Sequence, residues 1–367
     1  MLAGDKLIPI PRWQIRLPKY FTLYAFAMFS GQTLVAYAHH SDTPHFYMDQ
    51  NVIYQGVVTD FKFVNPHTYV YFDMATESGG SEAWRCELPA AITLRRHGWT
   101  SESLTHGQII RIDGSPARRE ERHCYLNALV LDDGSVVERE DAGPVLVAEG
   151  VARDRPLQLD NGHPNISGHW VARPRSGRRE PVTQTAAALE AASAFEYEFD
   201  HPALQCESVG IIHGWPFGRF VNQIIQSDNK ITILYGYLDL NRTIHLDVTE
   251  HPENMTHSVA GHSIGHWEDE VLVVDTAGIS AGAVSPLRKA MHSDQYHVVE
   301  RFSYDELNHT LIREYTASDS LYFEAPFSGR DVADISAITY QPYDCEELSG
   351  ANNIRPGATT IGERPAE

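Results

Sequence analysis

The sequence predicts a mostly β protein in which a small OB-like barrel precedes a larger antiparallel β-barrel or sandwich. Its apolar stretches are short, rich in β-branched and aromatic residues, and separated by Asn, Asp, Gly and Pro. The length of 367 residues favours two domains. We expect these at 39–139 and 165–350, joined by a linker at 140–164 that lacks apolar periodicity. Residues 351–367 are expected to form a disordered tail.

Residues 1–38 are predicted to be a signal peptide. A basic segment precedes an uncharged run, residues 20–38, which ends in Ala36-Tyr37-Ala38, the small-x-small pattern of a signal peptidase site. The alternative is a transmembrane anchor, but polar residues at 30–33 shorten the apolar part of the run. We therefore expect a periplasmic or secreted protein that is not inserted in the membrane after cleavage.

The charge and the cysteines narrow the class of protein further. A formal net charge of −20 argues against a nucleic-acid partner, because phosphate binding needs clustered Lys and Arg. The four cysteines, an even number in an exported chain, predict two disulfides. Pairing Cys86 with Cys124, and Cys206 with Cys345, would keep each bridge inside one domain. The other two connectivities remain open at this stage.

The first strand-rich region has the element order of a small barrel. Five or six short strands occupy residues 51–138, and Asn65-Pro66 separates the first two. A short helical pattern at 90–99 falls midway among them. One helix inserted in such a strand series fits a closed barrel of OB type. The usual oligonucleotide ligand of that fold disagrees with the negative charge.

The second strand-rich region predicts a series of about eight strands. It opens with Gly168-x-Trp170, a pattern also found at the first strand of lipocalins, and continues with a helical stretch at 183–199. Turn residues at 228–229, 268–269 and 308–309 separate apolar strands. Sequential antiparallel strands of this number close into an up-and-down barrel or fold into a sandwich, and we expect a calycin-like architecture.

Several longer motifs resemble a family of exported proteobacterial proteins of unknown function. They are AHHS (38–41), VNPHTYVYFDM (64–74), HGQIIRIDGSPA (106–117), GHSIGHWEDEVLVVDTAG (261–278) and HSDQYHVVERF (292–302). The resemblance covers about 38–138 and 165–350. It implies export, a first barrel domain with an Asn-Pro-His motif and a second domain with Gly-His-Ser and His-Ser-Asp motifs, but no reaction. The chain departs from the family pattern at Cys86, Cys124 and His266.

His39 is a candidate copper ligand. Cleavage after Ala38 would make it the first residue, so that its α-amine and imidazole chelate one metal ion. Copper(II) favours such nitrogen ligands, and His67 is the preferred further ligand, with His40 and His45 as alternatives. The competing interpretation is a solvated chain start with no specific role. Copper is the one cofactor that these residues suggest.

A second group of candidates points to catalysis. If the turn lies at 268–269, His262 faces Asp275, the pairing of a general base with an orienting carboxylate. His297 and Arg301 share one face of the following strand and suit an anionic or carbonyl group. His292 completes the predicted catalytic set. His–Asp pairs that only stabilise turns are the competing interpretation.

An aromatic loop is the candidate wall of a substrate site. Trp215, Phe217 and Phe220 lie in it, and Glu300 is a further candidate contact with substrate. The loop could equally pack over the core. Gly261–Gly265 has the pattern Gly-x-Ser-x-Gly, but another strand follows where a serine hydrolase has a helix.

The combined prediction is an exported small-molecule enzyme that uses His/Asp general acid–base chemistry, of lyase or isomerase type, on an apolar or aromatic substrate. Such a proton transfer needs no cofactor. The alternative is a copper-binding or ligand-carrier protein of the cell envelope without catalytic activity.

Overall fold

The computed structural model describes residues 45–131, 134, 136–138, 155–173, 178–217, 220–348 and 354–364. The predicted signal peptide, His39, His40 and most of the predicted linker lie outside the described residues. No helix within the described ranges is long and apolar enough to cross a membrane.

The first barrel contains five closed strands within the described residues. They are β1 (Val52–Lys62), β2 (Thr68–Ala75), β3 (Ser81–Leu88), β4 (Ile109–Pro116) and β5 (His123–Leu131). The order β3-β2-β1-β4-β5 closes through a parallel pairing of β3 with β5, and α1 (Ala91–Arg95) lies between β3 and β4. This is the OB topology, so the prediction is confirmed. A short strand, β6 (Val136–Glu138), adds to β5.

Alternation of apolar residues builds the first core. Val58, Val70 and Ile112 point inward from β1, β2 and β4 and are completely buried. Cys86 and Cys124 are register partners across the closing β3–β5 pair and form a disulfide. The bridge therefore joins the two strands whose pairing closes the barrel.

The second barrel closes from nine strands of the described chain. In spatial order they are β17 (Thr310–Ser318), β16 (His297–Asp305), β13 (Val271–Ala277), β12 (His262–Glu268), β11 (Asn241–His245), β10 (Lys230–Leu234), β9 (Val221–Gln226), β7 (Gly168–Ala172) and β18 (Phe327–Ile335). Pairing of β17 with β18 closes the ring, so the barrel alternative is confirmed over the sandwich. The pairing of β11 with β12 is parallel, which requires the crossover at 246–261.

Short elements surround this barrel. The strands are β8 (Arg178–Arg179), which pairs with β18, and the hairpin of β14 (Gly282–Ser285) and β15 (Ala290–His292). The helices are α2 (Ala186–Ala194), α3 (Tyr197–Asp200) and α4 (Ile211–Gly214), with 3₁₀ turns at Pro202–Gln205 and Pro286–Arg288. Thr185 caps α2 by accepting from the Ala188 amide.

Asn65 of the Asn-Pro-His motif joins the first barrel to the end of the chain. Its side-chain amide donates to the Tyr343 carbonyl, and its side-chain oxygen accepts from the Ile92 amide of α1 at 3.0 Å. Its own carbonyl accepts from the Glu346 amide at 2.6 Å. Cys345, between these partners, is bonded to Cys206. Both predicted disulfides are therefore formed, and a buried amide fixes the segment that carries one of them.

The expected disorder after residue 350 is wrong for residues 354–364. The Arg355 guanidinium donates to Asp200 at 2.8 Å, and Glu363 accepts from the Thr359 amide at 2.7 Å. Arg364 also donates to Asp200, at 2.6 Å. Two arginines thus share one carboxylate at the end of α3, an interaction that composition alone does not reveal.

Candidate functional site

His262, Asp275 and His297 lie together on the outer face of the second barrel. His262 begins β12, Asp275 lies in β13, and His297 begins β16. The predicted register is wrong by two residues, because the turn is Asp269-Glu270, with Asp269 in the left-handed region at φ 52°. Asp275 therefore faces Ile264, and His262 faces Ala277. A shift of two keeps all of these side chains on one face, so the predicted cluster survives the error.

His251 connects the cluster. Its Nε2 lies 2.9 Å from Asp275 Oδ1, and its Nδ1 lies 2.8 Å from His262 Nδ1. His297 Nε2 lies 2.7 Å from the same Asp275 oxygen. The result is one chain of hydrogen bonds that runs from His262 through His251 and Asp275 to His297.

The carboxylate at the centre fixes the ring tautomers. An ionised Asp275 only accepts, so His251 Nε2 and His297 Nε2 both carry the hydrogen. When His251 is neutral, its Nδ1 must accept, and His262 Nδ1 is then the donor. Nε2 of a neutral His262 is therefore unprotonated. The chain of hydrogen bonds therefore ends in a basic nitrogen, Nε2 of His262.

The pKa values at the two ends of the chain move in opposite directions. The hydrogen bond to Asp275 raises the pKa of His297, and the same bond lowers the pKa of Asp275. Partial burial lowers the pKa of His262, and the neighbouring rings of His251 and His245 lower it further. His262 is therefore biased towards the neutral base and His297 towards the protonated acid.

His245 and His251 were not predicted. The ring of His245 stacks on that of His262 with centroids 5.2 Å apart. His251 reaches the site because it lies in the long crossover that the parallel β11–β12 pair requires. The sequence suggests consecutive antiparallel hairpins in this region and therefore does not reveal the parallel pair. A histidine inside a Pro- and Glu-containing loop gives no signal of its own.

His292 and Arg301 lie apart from this chain of hydrogen bonds, against the prediction. His292 is buried, stacks on Tyr296 at 4.3 Å and directs Nδ1 at the Ser293 carbonyl. Arg301 shares the outer face but donates to Glu268 at 2.8 Å. Strand alternation sets Arg301 on the predicted face, whereas its carboxylate partner comes from the turn region of the neighbouring hairpin.

Glu300, a predicted substrate contact, lies inside the second barrel rather than beside the outer histidines. It is completely buried inside the second barrel, where it accepts from Arg242 and Arg313. Alternation along β16 sends it to the face opposite His297. Two buried guanidiniums beside one carboxylate make it part of a charged core.

The aromatic loop packs over the core, which was the alternative to a substrate-site wall. Trp215 is buried within 5.5 Å of the Arg313 guanidinium and packs edge-on to Phe302. Phe217 and Phe220 stack with Tyr237, and this group packs with Ile92 of α1. Phe217 and Phe220 therefore pack between the two barrels, whereas Trp215 belongs to the core of the second barrel.

His67, the predicted copper ligand, lies in the first barrel. Its Nδ1 is 2.5 Å from Glu87 Oε1. Burial raises the pKa of Glu87, but the interaction with His67 outweighs this effect, so the pKa of Glu87 is lowered. Among the residues that the structure describes, no three His, Cys, Asp or Glu side chains are arranged to hold a metal ion.

Replacing Asp275 by Asn should weaken the protein more at pH 5.5 than at pH 8.5. The pKa of His297 is raised in the folded protein. The Asp275–His297 interaction therefore contributes its full stabilisation below the unfolded histidine pKa of about 6.5, and this stabilisation is lost as the pH rises through the folded pKa of His297. Because both groups are half-exposed, we expect at most about 1 kcal/mol at pH 5.5. Urea unfolding of both proteins at the two pH values measures this, and a larger loss at pH 8.5 would contradict it.

Comparison with known proteins gives a family match for the first part of the chain only. Residues 28–126 match DUF6152, a family of unknown function. None of the curated proteins matches the chain. Among solved structures, the chain is similar to a mutant of the fluorescent protein UnaG, with a TM-score of 0.24 and 12% identity over 47% of this chain and 97% of that chain. The histidine site lies beyond the residues matched by the family.

Proposed function

We propose that the second barrel is an acid–base enzyme whose site is the outer-face chain His262–His251–Asp275–His297. His262 Nε2 takes a proton from the substrate, and His297 delivers one. The observation that carries this proposal is that one continuous chain of hydrogen bonds joins two histidines whose pKa values are shifted in opposite directions. Asp275 and His251 position the two rings.

The surface between the two histidines supports a small substrate with an apolar part. Ile264, Ala277 and Val299 are half-buried on the same face. A base and an acid at opposite ends of an apolar floor suit removal of a proton next to a carbonyl group and its return elsewhere. The reaction class is therefore a lyase or an isomerase that needs no cofactor.

A benzisoxazole that opens its ring on loss of a carbon-bound proton is a suitable probe. We expect His262→Gln to lower the second-order rate about 100-fold, the scale of general base catalysis. His266→Gln is the matched control, because His266 shares the strand and face but is exposed and paired with Glu268. Equal rates for the two variants, or a wild-type rate no higher than that of free imidazole, would contradict the proposal.

The two disulfides support an oxidising compartment, so we place the enzyme in the periplasm or outside the cell.

Copper binding in the first barrel is the second candidate function. A carboxylate against one ring nitrogen of a histidine is the usual support for a metal ligand, and Glu87 holds Nδ1 of His67 in this way, so that Nε2 would ligate. His39 is the other proposed ligand. The test is N-terminal sequencing of exported protein with copper titration: a chain that begins at His39 and one copper, lost in His67→Ala, would support it. A chain that begins elsewhere would exclude it.

A further inference from the structure

The crossover between β11 and β12 is attached to the second barrel near its two ends. The Leu246 amide donates to the Asn229 carbonyl at 2.8 Å, and the Ser258 amide donates to the Gly278 carbonyl at 3.1 Å. Residues 247–257 lie between these attachments and are mostly exposed. They form no backbone–backbone hydrogen bond with any other described residue. Side-chain interactions therefore hold this stretch against the barrel.

His251 forms the hydrogen bonds that hold the stretch. Its Nδ1 lies 2.8 Å from His262 Nδ1 of β12, and its Nε2 lies 2.9 Å from Asp275 Oδ1 of β13. Among the described residues, no other side chain of the stretch forms a hydrogen bond or an ion pair with the barrel. Met255 adds an apolar contact at Gly278, where a Cβ would lie 3.3 Å from the Met255 Sδ. The polar attachment of the stretch therefore depends on one histidine.

The contact between His251 and His262 accommodates a single hydrogen. Of two ring nitrogens 2.8 Å apart, one must donate and the other must accept. This is possible when both rings are neutral, and also when one of them is protonated. When both rings are protonated, each Nδ1 carries a hydrogen and neither can accept. The hydrogen bond is then lost, and two like charges face each other.

A single carboxylate lies among the histidines of this cluster in the described chain. The titratable and charged groups around His251 on the barrel are His262 and Asp275, which it contacts, His245, stacked on His262 at 5.2 Å, His297, 2.7 Å from Asp275, and Lys230, the register partner of His245. Those on the stretch itself, Asp247, Glu250, Glu253 and His257, are exposed to water. Asp275 alone therefore cannot balance the charge that acidification adds to the rings.

We propose that His251 is a pH-dependent latch, which holds residues 247–257 against the barrel at neutral pH and releases them when His251 and His262 are both protonated. Release breaks the chain of hydrogen bonds between His262 and Asp275, and a protonated His262 has no basic nitrogen. Acid therefore switches off the base. That consequence rests on the proposed function of the site, whereas release of the stretch does not.

The direction of the pH dependence follows from the number of protons bound. The attached state holds at most one extra proton on the two rings, whereas the released state holds two. Attachment is therefore complete above the ordinary histidine pKa of about 6.5 and is lost as the pH falls below it. Burial lowers the pKa of His262, and the rings of His251 and His245 lower it further, which agrees with release below this value.

Methyl NMR of the full chain measures the release. Met255 supplies the signal, assigned by its absence in Met255→Leu, and Met291 of β15 is the internal reference. From pH 7.5 to pH 5 we expect the transverse relaxation rate of the Met255 methyl group to fall about twofold, because the stretch gains mobility. The rate of Met291 should stay constant, because the rest of the protein remains folded.

Three variants separate the latch from other effects of pH. His251→Gln should remove the transition, since no group at position 251 then titrates in this range. His262→Gln should also remove it, because the amide oxygen accepts from a protonated His251 and the contact survives. His257→Gln is the matched control. His257 is exposed on the same stretch and bonds to no described residue, so this variant should keep the midpoint of the wild type.

Equal relaxation rates of Met255 at the two pH values in the wild type would overturn the inference. A transition that persists in His251→Gln, that is lost equally in His257→Gln, or that Met291 shares would do the same. The NMR measurement needs no substrate. A benzisoxazole rate no higher than that of imidazole would therefore refute the enzyme and leave the latch standing.

Discussion

Glu300→Gln is expected to lower the free energy of unfolding by about 3–5 kcal/mol. The Glu300 carboxylate is completely buried and accepts from the guanidiniums of Arg242 and Arg313. Asp331 then remains the carboxylate partner of Arg313. Among the described residues, Arg242 keeps only the hydroxyls of Ser263, Thr276 and Tyr235 as side-chain partners. Removing one partner of a buried ion cluster leaves a charge that neither water nor protein compensates.

Urea unfolding at pH 7 measures this loss. Glu268→Gln is the control, because Glu268 pairs with Arg301 on the surface, where water solvates both groups, and should leave stability unchanged within error. Similar effects of the two substitutions would contradict the assignment of Glu300 to the charged core. A reduced melting temperature for Glu300→Gln alone would agree with it.

Removing the Cys206–Cys345 disulfide should have an effect of the same size. The bridge closes a loop with a sequence separation of 139, for which chain entropy gives about 5 kcal/mol. Both cysteines are only partly buried, so replacing them with alanine leaves little cavity. The bridge also anchors the segment that contacts Asn65 of the first barrel.

The double variant Cys206→Ala, Cys345→Ala is compared with the wild type by urea unfolding without reductant. The wild type in dithiothreitol is the control and should lose at least as much stability, because both disulfides are then open. A double variant within about 1 kcal/mol of the oxidised wild type would show that the bridge contributes little.

The architecture follows from local patterns in the sequence. Alternating apolar residues, turn residues and one inserted helix predict the OB topology, because hairpin pairings are local. What the sequence hides is non-local. The parallel β11–β12 pair and the two arginines that fix the tail on Asp200 depend on contacts between distant residues.

The outer site was partly predictable because pairing within a hairpin is local. Hairpin geometry brings His262 and Asp275 to one face even when the turn is misplaced by one position, since that moves the pairing by two residues. His297 follows because β16 pairs with β13. His251 arrives through a crossover, so its role does not follow from spacing to the nearest motif. Strand alternation does place Glu300 on the face opposite His297, but its arginine partners come from β11 and β17 and are not visible in that spacing.

Titration of the histidine rings by NMR tests the acid–base chain most directly. The protein should show one histidine, assigned to His262 by its absence in His262→Gln, that titrates below about 6.5, and another, His297, that titrates above it. In Asp275→Asn the pKa of His297 should fall towards 6.5, while that of His262 stays low because burial sets it. If both rings titrate near 6.5 in the wild type, or if His297 is unaffected by Asp275→Asn, the proposed chain does not exist in solution.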